Sequence, residues 1–119
     1  MRRLEGPELA RYDLVDPDIA ARARILTVPF LAPGASGMTI GRFVFLRRDH
    51  ERGGGRELLA HELVHVRQYA EAGTIRFLLG YLRDYVGALR RLRNHRAAYL
   101  AIPAEAEARA EAEAWAARS

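Results

Sequence analysis

The sequence contains no cysteine, and each of its 19 basic residues is an arginine rather than a lysine. Without cysteine, the chain cannot form disulfides, thiolate metal sites, iron–sulfur centres or a cysteine nucleophile. Without lysine, it cannot form a Schiff base with a carbonyl substrate. Any metal ion must therefore be held by nitrogen and oxygen ligands.

Long apolar runs are also missing. The most apolar long segment, residues 75–89, is interrupted by Arg76, Arg83 and Asp84, a pattern that does not favour a bilayer-spanning helix. The start of the chain has two arginines with no apolar stretch behind them, so no secretory signal is predicted. We therefore expect a cytoplasmic protein without a membrane partner.

What is present is typical of one small globular domain. The chain has 119 residues, of which 50% are hydrophobic, and a formal net charge of +4. This length supports one modest core over residues 1–119. The arginines at positions 90, 91, 93 and 96 lack interleaved aromatic residues and a recognition motif, so a nucleic-acid partner is not expected. The sequence does not indicate an oligomeric state.

The periodicities predict an α+β fold, with a short sheet or hairpin packed on three to four helices. The predicted segments are an N-terminal helical extension at 1–37, a strand region at 38–47, and helices at 56–72, 74–92 and 103–117.

Local signals give the bounds of these segments. Asp16 and Pro17 are typical of a helix start, and this helix is predicted to continue through Leu26. Gly41 indicates a bulge or hairpin turn inside the strand region. Residues 47–55, which include His50, are expected to form a polar loop.

The two long predicted helices are separated by Gly73. This glycine ends the first helix, and Thr74 is expected to cap the second. Residues 94–102 are interpreted as a connection before Pro103 opens the last helix. The apolar side of the helix at 74–92 consists of Leu78, Leu79, Leu82, Tyr85, Val86 and Leu89.

One motif carries chemistry, the sequence His61-Glu62-Leu63-Val64-His65. Residues four apart project from one face of a helix, so the two imidazoles can approach a single ion from the same side. Glu62 points away from that line and can reach a metal-bound water without being a ligand. This is the geometry of a zinc-activated water with a carboxylate general base.

A catalytic zinc usually takes three protein ligands and leaves one position open. The downstream candidates for the third ligand are Asp84, His95, Glu105, Glu107, Glu111 and Glu113. A carboxylate on a second packed helix best complements two helix-borne histidines. The alanine-rich helix that opens at Pro103 can approach the motif helix closely, which favours its glutamates.

The stretch ELLAHELVHVRQY at residues 57–69 resembles the active-site helix of the gluzincin metallopeptidases. It is most similar to small members called minigluzincins and to related bacterial peptidase-like domains. Those proteins carry H-E-x-x-H-V-x-Q, a helical stretch, and then a P-x-E-x-E-A segment whose glutamate completes the zinc site. Pro103, Glu105, Glu107 and Ala108 fit that segment.

The resemblance implies one Zn²⁺ per chain, held by His61, His65 and Glu105, with Glu107 as the alternate third ligand. Gluzincins often carry an aspartate four residues after the ligand glutamate, and this chain departs from that pattern with Arg109. Residues 1–37 carry none of the resemblance.

The implied activity is zinc-dependent hydrolysis of peptide bonds in a peptide or protein substrate. Glu62 would be the general base. Tyr99 is the first candidate for a donor to the developing oxyanion, and the others are His95, Tyr69 and Tyr85. Gln68 lies one turn after His65 and is a candidate to orient a ligand or simply to pack.

Two further expectations concern the substrate and an alternative function. Gluzincins bind a peptide along a strand edge, so Arg42, Phe43, Val44, Phe45 and Leu46 are candidates for a substrate-binding edge strand. An ordinary core strand is an equal alternative for this segment. The alternative function is a catalytically weak or inactive zinc-binding regulatory or interaction module of the same fold.

Overall fold

The N-terminal part of the chain forms two short helices and one strand. A computed structural model describes residues 1–32, 34–48 and 56–119. Helix α1 spans Gly6–Arg11, helix α2 spans Pro17–Arg22, and strand β1 spans Arg24–Val28.

The predicted start of α2 is confirmed, but its predicted end is wrong. The Asp18 amide donates to Asp16 Oδ1 at 2.9 Å, and Pro17 occupies the first turn. The helix ends at Arg22 instead of continuing through Leu26, because the following residues form β1. The β-branched side chains in β1 favour an extended backbone, and pairing with a neighbouring strand stabilises it.

Strands β2 (Gly37–Ile40) and β3 (Phe43–Arg47) form a hairpin. Gly41 has a φ of 63° in the turn between them, a conformation that favours glycine. β1 pairs parallel to β3 and β2 pairs antiparallel to it, so the strand order is β1-β3-β2. With the helices, this three-stranded mixed sheet confirms the α+β class.

This strand order corrects the expectation of an edge strand at residues 42–46. β3 is the central strand and is paired on both sides, so its backbone has no free edge for a peptide. Val44 and Leu46 are buried, Phe43 and Phe45 are half-buried, and Arg42 lies in the hairpin turn. The edge of the sheet on this side is β2.

Four helices follow in the described part of the chain. Helix α3 spans Arg56–Ala72, α4 spans Thr74–Leu92, α5 spans His95–Ala101, and α6 spans Pro103–Arg118. The bounds of α3 and α4 are the predicted ones. None of the described helices is both long enough and apolar enough to pass through a bilayer.

Two local expectations about these helices are wrong. Gly73, with a φ of 89°, occupies the N-cap position of α4, and Thr74 is the first helical residue rather than the cap. Residues 94–102 are not a simple connection, since they contain α5. The Asn94 side chain accepts a hydrogen bond from the Ala97 amide at 2.8 Å and caps α5. His50 and residues 49–55 of the expected loop lie outside the described residues.

The core is centred on α3, which contacts both the sheet and α6. Leu63 and Val64 are fully buried on α3. Ala108 and Ala112 are buried on α6, and their small side chains let the two helices approach closely.

The C-terminal end of α6 is attached to the N-terminal segment. The indole of Trp115 stacks on Tyr12 with ring centroids 4.9 Å apart, and its Nε1–H donates to the Arg11 carbonyl at 3.0 Å. Trp115 is 2% exposed. This contact fixes the position of α6 relative to the rest of the core.

The Trp115→Ala substitution should therefore lower the free energy of unfolding by about 3–5 kcal/mol, since it removes a buried aromatic side chain and its hydrogen bond. Urea unfolding monitored by circular dichroism measures this loss. The Phe30→Ala variant is the control, because Phe30 is 79% exposed. Equal losses for the two variants would contradict the assigned packing.

Candidate metal centre

Three side chains from two helices converge on one point. His61 and His65 lie one turn apart on α3, and Glu105 lies in the first turn of α6. The Nε2 atoms of His61 and His65 are 2.8 and 3.0 Å from the same oxygen, Oε1 of Glu105. One ligand atom from each of the three residues lies within 4.8 Å of the others, so the group could hold a metal ion.

The geometry selects Glu105 over the alternate Glu107. Glu107 Oε1 accepts hydrogen bonds from Arg67 and from Nε2 of Gln68, and Glu107 is not part of the group that could hold a metal. Glu111 is also occupied, because it accepts from Arg67 Nη1 at 2.8 Å. Among the residues that the structure describes, His61, His65 and Glu105 are the one group arranged for metal binding.

Gln68 orients the second histidine. Its Oε1 lies 2.7 Å from His65 Nδ1, while its Nε2 donates to the Ala104 carbonyl at 3.1 Å. Because the Gln68 oxygen can only accept, Nδ1 of His65 carries a proton. With Nδ1 engaged in this way, Nε2 is the ring nitrogen that faces Glu105 and could bind a metal once it carries no proton.

Burial and hydrogen bonding shift the pKa values of the cluster in opposite directions. Burial alone would lower the pKa of His65, but its hydrogen bond to Glu105 and the nearby carboxylates raise it. Burial alone would raise the pKa of Glu105, but hydrogen bonds from His61, His65 and Tyr81 place it well below the usual range.

The residues present fit a divalent cation. Oε1 of Glu105 is approached by both imidazoles and, at 3.0 Å, by the Tyr99 hydroxyl. Three donors on one oxygen exceed its two lone pairs. Two imidazole nitrogens and one carboxylate are a standard protein ligand set for zinc, so a divalent cation could occupy this crowded position.

Two tyrosines hold the carboxylate of Glu105. Tyr81 from α4 donates to Oε2 at 2.6 Å, and Tyr99 from α5 donates to Oε1. Burial raises the pKa of both hydroxyls and the Glu105 charge raises it further, so both remain protonated donors. Tyr99 was predicted near the site, whereas Tyr81 was missed.

The other candidate donors, Tyr69, Tyr85 and His95, make different contacts in the described structure. The Tyr69 ring packs against Phe77, with centroids 4.3 Å apart. Tyr85 and His95 form a hydrogen bond with each other at 2.8 Å, in an exposed position. These side chains are therefore not the ones that hold Glu105.

The side chain of Glu62 extends from α3 towards β2 and is not one of the three candidate ligands. Its side chain is 3% exposed, and Oε1 accepts a hydrogen bond from the Thr39 hydroxyl at 2.9 Å. A Cβ atom on Gly37 would lie 3.2 Å from Oε2 of Glu62, so glycine makes room for the carboxylate. Burial raises the pKa of Glu62, and the neighbouring imidazoles of His61 and His65 only partly oppose this shift.

Comparison with known proteins gives one partial match. The family model of the eCIS core domain matches residues 30–73. The matched region includes β2, β3 and the motif helix, but it ends before Glu105. No curated protein and no solved structure matches the chain. The match names neither a metal nor a reaction, so the resemblance to gluzincins rests on the motif residues.

The Glu105→Gln substitution should reduce Zn²⁺ affinity by more than about a hundredfold, since it removes the anionic ligand. The matched control is Glu107→Gln, which should reduce affinity by less than about tenfold because Glu107 contacts Gln68 and not the ion position. Competition with a chromophoric chelator measures both values. Similar losses in the two variants would contradict the ligand assignment.

Proposed function

We propose that this chain is a zinc-dependent peptidase that hydrolyses peptide bonds with Glu62 as general base. The observation that carries the proposal is the convergence of His61, His65 and Glu105 beside a fourth, buried acidic side chain that is not part of the ligand set. A structural metal site needs no such extra carboxylate, whereas hydrolysis needs a base next to the attacking water.

The ligand residues bind and orient the metal. His61 and His65 would hold it from α3, and Glu105 would hold it from α6. A zinc ion bound there would supply a Lewis acid and a water of lowered pKa. Gln68 keeps the proton of His65 on Nδ1, so that Nε2 is available as a ligand.

Glu62 would move the proton. Thr39 holds one of its carboxylate oxygens, which limits the rotation of the group beside the ion position. A base with a raised pKa can accept a proton from water and return it to the leaving amine, because it is a competent acid in the second step. With Oε1 of Glu105 engaged as a ligand, the Tyr99 hydroxyl would donate to the oxyanion instead, whereas Tyr81 would keep its hydrogen bond to Oε2 and position Glu105.

The substrate would pair with β2. In the described part of the chain, β2 is one of the two edge strands of the sheet, and its Thr39 contacts Glu62. A peptide that adds to this edge would pass alongside Glu62. Beyond the end of β2 there is a cleft of about 200 Å³, whose lining includes Tyr69, Arg22 and Arg42. In this proposal Arg42 still contributes to substrate binding, but it does so as a residue of the β2–β3 turn that lines the cleft.

The Glu62→Gln variant should keep its metal and lose turnover by about 10²–10⁴-fold, the usual contribution of a general base. Below the raised pKa of Glu62, wild-type turnover should also fall as the base takes up a proton. Turnover is measured on an internally quenched peptide library, and bound zinc by atomic emission.

The control for this experiment is Glu57→Gln, an exposed glutamate on the same helix. Full activity in Glu62→Gln would exclude Glu62 as the base. One zinc per chain with no turnover of any library peptide would instead favour the zinc-binding regulatory module.

Substitution of Tyr99 and substitution of Tyr81 should have different effects on turnover and on zinc binding. Tyr99→Phe should lower kcat by about 10²–10³-fold at saturating zinc, as for the loss of one oxyanion donor. Tyr81→Phe should leave kcat near the wild-type value at saturating zinc and weaken zinc binding by about 10-fold or more. Steady-state kinetics with chelator competition measures both effects, and the reverse pattern would exchange the two roles.

A further inference from the structure

In the described part of the chain, helix α4 has several large aliphatic side chains that are more than one-third exposed. Ala88 is its only buried residue within the described structure, although the helix is strongly amphipathic. Each of the exposed side chains has another three or four residues away, so together they form a continuous ridge along the helix. This apolar ridge consists of Ile75 (75% exposed), Leu78 (37%), Leu79 (64%), Leu82 (48%) and Val86 (49%). A contiguous apolar surface of this kind marks an interaction site.

An arginine row borders the apolar ridge. The row consists of Arg76, Arg83 and Arg90, and each is seven residues from the next. Seven residues make about two helical turns, so the three side chains lie on the same side of the helix. At 100° per residue, the arginine row lies about 90° around the helix axis from the centre of the apolar ridge. It is on the side of the ridge that faces away from the buried Ala88. The only acidic residue of α4, Asp84, is half-buried and lies 3.5 Å from Arg83 Nη2.

The charge of the chain is concentrated around this helix. Residues 73–104, which include α4 and α5, contain six of the 19 basic residues but only one of the 15 acidic residues. Their net charge is therefore +5, against +4 for the whole chain, so the remaining residues sum to −1. An excess of positive charge beside an exposed apolar surface selects a partner that is both anionic and apolar.

We infer that α4 docks on an anionic lipid bilayer surface, lying in the plane of the headgroups. The helix has 19 residues and is therefore about 28 Å long. The apolar ridge would enter the boundary between headgroups and acyl chains, and the arginine row would contact lipid phosphates. The helix would lie on the membrane without crossing it. This inference replaces the sequence-based expectation of no membrane partner, and it does not depend on the proposed peptidase activity.

The charges and the chemistry of the ridge favour a lipid surface over a protein. A second copy of α4 would bring another arginine-rich helix with no exposed carboxylate to pair with Arg76 or Arg90, and like charges oppose such contacts. Protein interfaces also contain about one hydrogen bond per 100–200 Å². The ridge offers only aliphatic side chains, which suit an acyl phase that needs no hydrogen-bonding partners.

Vesicle co-sedimentation of the full 119-residue chain tests this inference. One set of vesicles contains phosphatidylcholine alone, and the other contains equal parts of phosphatidylcholine and phosphatidylglycerol. The chain should sediment with the anionic vesicles and not with the neutral ones. Raising the salt concentration to about 0.5 M should release most of it, because salt screens exposed charges.

Two triple variants remove the two halves of the surface. Ile75→Gln with Leu79→Gln and Val86→Gln removes exposed aliphatic groups and should lower partitioning at least about tenfold. The variant Arg76→Gln with Arg83→Gln and Arg90→Gln should lower partitioning by about a hundredfold, since each arginine near an anionic surface contributes about fivefold. Circular dichroism checks that both variants stay folded.

Matched controls remove equivalent groups elsewhere on the surface. Phe30→Gln removes an apolar side chain that is 79% exposed, and Arg11→Gln with Arg22→Gln and Arg42→Gln removes three exposed charges. Both controls should bind vesicles within about twofold of wild type. Losses confined to the α4 variants support the inference.

Three results would overturn the inference. The first is that the chain fails to sediment with anionic vesicles. The second is equal loss in the α4 variants and the controls, which would show diffuse attraction of a basic protein. The third is that light scattering shows a dimer, that the Ile75, Leu79 and Val86 substitutions dissociate it, and that the wild-type chain does not bind vesicles. This result would mean that the apolar ridge binds a second copy of the chain.

Discussion

The site depends on one buried carboxylate, that of Glu105, which is 4% exposed and is held by side chains from three other helices. Removing an ionised group from water costs several kcal/mol, and this cost is offset only where the group has well-placed partners. Glu105 has four: the imidazoles of His61 and His65 and the hydroxyls of Tyr81 and Tyr99. These partners come from α3, α4 and α5. The carboxylate of Glu105 therefore has all its hydrogen bonds only when these helices pack against α6 in one specific arrangement.

Helix α3 presents different chemistry on two of its sides. The histidines face α6, where the carboxylate of Glu105 contacts both of them, and Gln68 of α3 itself positions His65. Glu62 faces β2, where Thr39 and the missing side chain of Gly37 position it. The H-E-x-x-H spacing therefore places the two candidate ligands and the proposed base on different sides of one helix, where α6 contacts the histidines and the sheet contacts Glu62.

The sequence predicted the features that depend on local pattern. The bounds of α3 and α4, the start of α6 at Pro103 and the approach of Glu105 to the two histidines all follow from periodicity, end signals and a known motif. Features that depend on contacts between distant residues were missed. β1 looks helical in isolation because Pro17 starts a helix just before it, and strand pairing with β3 decides its conformation. Without β1, the central position of β3 could not be recognised. Tyr81 and Thr39 reach the site through packing between elements, which no local pattern in α4 or β2 indicates.

The distance along the chain between the two halves of the centre has a consequence for biosynthesis. The imidazole of His61 and the carboxylate of Glu105 are 44 residues apart in sequence, and Trp115, which secures α6 against Tyr12, follows later still. A nascent chain emerges from the ribosome N-terminal end first, so α3 is exposed before α6 exists. The centre can form only after α6 has left the exit tunnel, and until then a newly made polypeptide has two imidazoles but no competent cation site.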